Sequence, residues 1–191
     1  MRTTVRTGLS GCLLLLSMVA AAQPAPAPAP DVGTDAPQLT PPPEPSLVRR
    51  YAVGPRLIIA PGVFIPSTGS AGFTLGLAGG YGFDLGPVIL SPGLMAQGSW
   101  SSDWNVYTGL GGLRVTLPLG NFGPYLEGGI GYGHVGGPHD YSAGGLALRC
   151  GAGFILFFSQ SFALGLSVIY DTILDTPYKS WGIAPLILLA F

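Results

Sequence analysis

The feature that most constrains this chain is an inverted period-two pattern. In "FALGLSVIYD" (162–171), Phe162, Leu164, Leu166, Val168 and Tyr170 alternate with Ala163, Gly165, Ser167, Ile169 and Asp171. In "FTLGLAGGYG" (73–82), Phe73, Leu75, Leu77 and Tyr81 alternate with Thr74, Gly76, Ala78 and Gly80. In "PYLEGGIGYG" (124–133), Leu126, Ile130 and Tyr132 oppose Tyr125, Glu127, Gly129 and Gly131. Successive side chains of a strand point to opposite faces, so each stretch has one large apolar face and one small or polar face. A soluble sandwich points its charged side chains outward. Here the large apolar face has no charge to offer water. That arrangement suits a barrel that is apolar outside and polar within.

Charge counts point the same way. Only 9% of residues are charged, against roughly 25% in soluble domains, too few to coat a water-facing surface. Past residue 22 there are six basic and nine acidic residues, net −3. No basic stripe exists, so nucleic acid is excluded as an expected partner.

The first 22 residues read as a secretory signal: Arg2 and Arg6, an apolar run from Cys12 to Val19, then Ala20-Ala21-Ala22. Residues 23–50 are rich in proline and alanine, the composition of an extended, disordered spacer. The strand-rich domain is expected over 51–191. Uncharged stretches at 57–83 and 151–170 are long enough for membrane helices, but glycine, proline and turn residues interrupt them. Helical spans in an inner membrane are therefore the weaker expectation.

Eight strands are expected, at 55–65, 72–84, 87–98, 104–117, 123–134, 142–158, 161–172 and 180–191. An even count permits an antiparallel up-and-down transmembrane barrel, all-β and closed. Closure satisfies every backbone group in lipid, which an open sheet cannot do. Gly54-Pro55, Gly86-Pro87 and Gly123-Pro124 each precede an odd-numbered strand. Proline opens a strand without loss because the ladder has not begun, so these three sites belong at one end. Pro61, Pro92 and Pro185 fall inside strands 1, 3 and 8 and are expected as bulges or kinks.

Period two also assigns charges. Arg114, Glu127, Arg149 and Asp171 fall on the small or polar faces of strands 4 to 7. They are expected to meet in a narrow lumen as an ion-pair network, with barrel filling as their role. Ile58, Phe64, Ile155, Leu186 and Leu188 are expected to point inward as well. Aromatics suggest two interfacial girdles: Phe83, Phe122, Phe157, Phe158, Phe162 and Phe191 at one end, and Phe73, Trp100, Trp104, Tyr107, Tyr132, Tyr141, Tyr178 and Trp181 at the other.

Chemical sites are sparse. His134, His139 and Asp140 share one loop but have no regular ligand spacing, so no metal is expected. Both histidines lie in that loop and no His-x-Ser run occurs, so neither catalytic residues nor an enzyme is expected. "GLGGLR" and "EGGIGYG" lack the lysine and following helix of a phosphate loop, and no cofactor is expected.

Together these features resemble the small eight-stranded outer-membrane β-barrels of Gram-negative bacteria, of the OmpA/OmpX kind. The resemblance covers residues 51–191 and is strongest in the last stretch, "SWGIAPLILLAF", where Trp181, Ile183, Ile187, Leu189 and Phe191 share one face. It implies an outer-membrane location with the N-terminal spacer in the periplasm. It also implies that Phe191, Leu189 and Ile187 form the signal read by the barrel-assembly machinery, and that outer-membrane lipid surrounds the chain. No peptidoglycan-binding domain is expected after the barrel. The function so implied is a structural, envelope-integrity protein with a plugged lumen. The alternative is a small porin-like pore or carrier for apolar molecules.

Overall fold

The structure is a computed structural model that describes residues 46–159 and 161–190. The expected signal segment, most of the expected spacer and Phe191 lie outside the described residues. Eight strands follow one short helix, α1 (Leu47–Ala52). They are β1 (Gly54–Pro66), β2 (Gly72–Asp84), β3 (Ile89–Trp100), β4 (Asn105–Thr116), β5 (Phe122–Gly136), β6 (Ser142–Phe157), β7 (Phe162–Ile173) and β8 (Lys179–Ala190). Each pairs antiparallel with its sequence neighbour, and β1 pairs with β8 to close the barrel. Among the described residues no helix is long and apolar enough to cross a membrane, and the chain is all-β.

Register fixes the tilt of the strands. The pairing runs from Arg56 to Gly80, Gly93, Gly112, Gly129, Arg149, Asp171 and Ser180. It returns to β1 at Pro66, ten residues from where it began. Strand number and this stagger set a barrel's diameter, and eight strands leave an interior that side chains alone can fill.

The internal prolines are accommodated without bulges. A bulge adds a residue to one strand and shifts the register, whereas the register here is the same on both sides of each gap. The β1–β8 ladder pairs Ile59 with Ile187, then resumes at Val63 with Ile183. Continuing that register places Pro61 opposite Pro185. Both missing donors therefore fall on one rung of the closing seam. Pro92 faces the corresponding gap in β2–β3, between the Gly80–Gly93 and Phe83–Leu90 pairs, while its pairing to Leu113 on β4 is continuous.

The start of β1, the end of β8 and the connections that follow β2, β4 and β6 lie at one end of the barrel, with all three Gly-Pro pairs. Gly86 has φ +86, a left-handed conformation that glycine adopts without a Cβ clash. Its amide is held by Asp84 Oδ1 at 2.9 Å. The helix α1 also sits at this end, a departure from the expected spacer, which was to run through residue 50. Ser46 caps it by accepting from the Arg49 amide, and Arg49 and Arg50 occupy its last turn, where cations complement the helix dipole. Val48, Tyr51 and Ala52 are buried. Tyr51 meets Phe157 edge-on at 5.0 Å, and Arg49 Nη1 binds both Asp84 oxygens at 2.8 and 3.0 Å. Burying three side chains and making these contacts fixes a helix too short to persist alone.

At the opposite end, four loops join the strands. Asp103 Oδ2 accepts the Ser70 amide at 2.7 Å, and Trp104 Nε1 donates to Thr68 O at 2.7 Å, tying the β1–β2 loop to the β3–β4 loop. The Ser70 amide is the chief reason that the Asp103 carboxyl titrates below its ordinary value. A depressed native pKa means that the contact is stabilised above the ordinary carboxylate range and lost as pH falls through the lower, native value. An NMR titration should therefore show the Ser70 amide shift changing with a midpoint below about 3.9. A midpoint at or above that value would exclude the contact.

Outward faces carry the large apolar side chains. Phe83, Phe122, Phe158 and Phe162 are exposed near the terminal end, and Phe73, Trp100, Tyr107, Tyr132, Tyr141 and Trp181 near the loop end. Three members of the expected girdles turn inward instead. Phe157, Trp104 and Tyr178 are buried. Phe157 holds an inward-parity position at the end of β6, while Trp104 and Tyr178 stand just before β4 and β8, where period two no longer dictates direction.

Candidate functional site: a charged layer inside the barrel

The inward positions form three layers. At the terminal end, Tyr51, Ile58, Ile89, Tyr125, Phe157, Leu186 and Leu188 belong to one apolar cluster. At the loop end, Phe64, Trp104, Val106, Leu110, Val135, Ile173 and Tyr178 form a second. Between them lie the buried charged side chains of Arg114, Glu127, Arg149 and Asp171. Ile58, Phe64, Ile155, Leu186 and Leu188 all point inward and are buried within these clusters.

The four charges assigned by period two are all buried, and the register brings them together as two pairs. Arg114 and Glu127 are direct cross-strand partners, as are Arg149 and Asp171. Arg114 donates through Nε and Nη2 to Glu127 Oε2, at 3.1 and 2.5 Å. Its guanidinium also lies over the Tyr125 ring, 4.2 Å from the centroid, a favourable cation–π placement when desolvated. Arg149 donates to Asp171 through two nitrogens, Nε to Oδ1 at 2.7 Å and Nη2 to Oδ2 at 3.0 Å. That fork-to-carboxylate match is the strong form of the pairing.

Further members extend the network. Gln97 on β3 accepts from Arg149 Nη2 at 2.5 Å, and its Nε2 donates to Asp171 Oδ2 at 3.3 Å and Ser99 Oγ at 3.1 Å. Ser99 reaches Thr74 at 2.8 Å. Arg56 on β1 is also buried and faces inward. The sequence carried a signal for it, because Arg56 shares parity with Ile58 and Phe64 on the same strand. Gln97 carried a weaker one, an inward parity on β3 without a charge.

Glycine makes the room. Gly80, Gly93, Gly112 and Gly129 stand side by side across β2 to β5, all on the inward face. Long side chains of the charged layer occupy space that a ring of larger residues would fill. The wall itself is tight: a Cβ on Gly93 would sit 2.5 Å from Gly79 O, and one on Gly129 2.8 Å from Met95 Cε. Two cavities of about 30 Å³ each, measured as volume open to the centre of a water, adjoin the charged layer. Each has room for about two waters.

Elsewhere, Ser142 Oγ lies 3.4 Å from His134 Nε2 on the outer face near the loops. No carboxylate hydrogen-bonds that ring among the described residues, so the pair lacks the orienting acid of a triad. No group of three metal-ligating side chains occurs among the described residues. Leu189 and Ile187 hold outward-parity positions on β8, paired with Leu57 and Ile59 of β1.

No family model matches the sequence, and no curated protein matches it. Solved structures do. Neisserial surface protein A aligns with a TM-score of 0.54 at 12% identity, over 72% of this chain and 96% of that one. The N-terminal β-barrel domain of Pseudomonas aeruginosa OprF aligns at 0.52 with 17% identity, over 73% and 98%. The outer-membrane enzyme PagL aligns at 0.50 with 16% identity, over 71% and 99%. With eight antiparallel strands closed between β1 and β8, apolar outside and charged within, this chain has the fold of the small eight-stranded outer-membrane β-barrels.

Proposed function

We propose that this chain is an outer-membrane barrel with a structural, envelope-integrity role and a closed lumen. The observation that carries the reading is the filling of the interior. Two apolar clusters flank an ion-paired layer, and each cavity beside that layer has room for no more than about two waters or one small ion. A conducting pore needs a continuous wet path, and these buried aliphatic and aromatic side chains obstruct it at both ends. The outer-membrane setting is supported by the exposed apolar belt and by the fold shared with outer-membrane proteins. In this reading the terminal end, with α1, faces the periplasm. The chain has no catalytic role, and its partners are lipid and the barrel-assembly machinery, which reads Ile187, Leu189 and Phe191.

The alternative is a small pore or carrier for apolar molecules, drawn from the inward Ile58, Phe64, Ile155, Leu186 and Leu188. These side chains belong to the two buried clusters, and the cavities that Ile58, Phe64 and Leu186 border are about 30 Å³ each, room for about two waters rather than an apolar solute.

Two measurements on the full chain separate the readings. Gel mobility of the membrane fraction should change on boiling, and deleting Phe191 should reduce the heat-shifted fraction. Planar-bilayer recordings of the heat-shifting protein should then be silent. Reproducible unitary current steps would replace the closed-lumen reading with the pore.

A further inference from the structure

We propose that the lumen binds one small monovalent anion, of halide size, between Arg56, Arg114 and Ser91. Three guanidinium groups, of Arg56, Arg114 and Arg149, share the interior with two carboxylates, of Glu127 and Asp171. Both carboxylates are engaged, one by Arg114 and the other by Arg149. Arg56 is the surplus charge. It is 8% exposed and makes no hydrogen bond or ion pair within contact distance among the described residues. A buried charge without a counter-charge is strongly unfavourable.

The groups around it are unsatisfied in the complementary sense. Ser91 is 3% exposed and Arg114 7%. Ser91 Oγ and Arg114 Nη1 are buried with no hydrogen-bond partner. Ser91 and Arg114 are direct partners across β3–β4. All three residues border one cavity of about 30 Å³. Two guanidinium side chains and a hydroxyl-bearing side chain therefore border one space whose size suits a halide and is small for a phosphate or sulfate. Glu127 borders the same cavity. Because Arg114 holds its Oε2, the anion sits toward Arg56 and Ser91. This site does not depend on whether the barrel conducts.

The test uses bromide as the probe. Crystals of the full chain grown in sodium bromide should show an anomalous peak within hydrogen-bond reach of Arg56, Arg114 Nη1 and Ser91 Oγ. In detergent, the midpoint of the heat-dependent mobility shift should rise with chloride at fixed ionic strength, gluconate being the replaced ion. Binding to the native state alone produces such a rise. Arg56→Gln should abolish it, and Ser91→Ala should weaken it. If Arg56→Gln does not fold, the bromide map of the unaltered chain decides alone. A map with waters only, or equal midpoints in chloride and gluconate, overturns the proposal. So does a chloride response that survives in folded Arg56→Gln.

Discussion

Glu127→Gln should lower the unfolding free energy of the barrel by about 3–5 kcal/mol, the cost of leaving a buried charge without its partner. The substitution keeps the shape of the side chain and removes only the charge. Arg114 would then lie buried with a neutral amide at 2.5–3.1 Å in place of its carboxylate. Arg56, which borders the same cavity, would lose the nearest opposing charge there. Unfolding in urea from lipid or detergent reads the change as a shift in midpoint. A double change of Arg114 and Glu127 to leucine and methionine should recover much of the loss, because replacing a buried pair with apolar groups is often neutral. Unchanged stability in Glu127→Gln would mean that water reaches the layer and that the pair contributes nothing. Asp171→Asn offers a second reading of the same principle, with Gln97 left to bind Arg149.

Gly93→Val should destabilise the barrel by about 3 kcal/mol, and for a different reason. Its Cβ would lie 2.5 Å from Gly79 O and 3.2 Å from Gly80 Cα, both backbone atoms of the neighbouring strand. Backbone in a closed ladder cannot swing aside as a side chain does, so β2 and β3 must separate locally. Overpacking in a well-packed interior costs about 1–3 kcal/mol and occasionally more, and a backbone clash belongs at the upper end. Gly111→Val is the control. That residue faces outward, and the nearest atom to its Cβ would be Ile130 O at 3.9 Å. Heat-dependent gel mobility should therefore be lost or shifted to low temperature for Gly93→Val and kept for Gly111→Val. Equal behaviour would show that the inward glycines do not limit the wall.

These two expectations also mark what alternation makes legible. Hydrophobic period two is local: it depends only on which residues flank each other along one strand. It placed all eight strands to within about two residues of their observed bounds, and it turned Arg114, Glu127, Arg149 and Asp171 inward before any pairing was known. The Gly-Pro pairs, by opening odd strands, fixed which turns share an end. Where the pattern stops, inference from it stops too. Trp104 and Tyr178 stand just outside their strands and turn into the lumen, and α1 folds from residues whose composition resembled a spacer.

Pairing between strands is the part that alternation cannot supply. The register of each hairpin decides that Arg114 meets Glu127 and that Arg149 meets Asp171, and the registers sum to a stagger of ten residues around the ring. The same stagger sets Pro61 against Pro185, so that two absent donors coincide on one rung. The hairpin registers also align four inward glycines across β2 to β5, leaving the width that the guanidinium groups occupy. The charged pairs and the glycine row follow from the registers of neighbouring hairpins, while the proline rung depends on closure, a relation between residues as far apart as Arg56 and Ala190. The sequence by itself determined which face of each strand a side chain takes, because that face repeats every second residue. Only the tertiary structure decided which side chains touch across the lumen, because that follows from how the whole sheet tilts to meet itself.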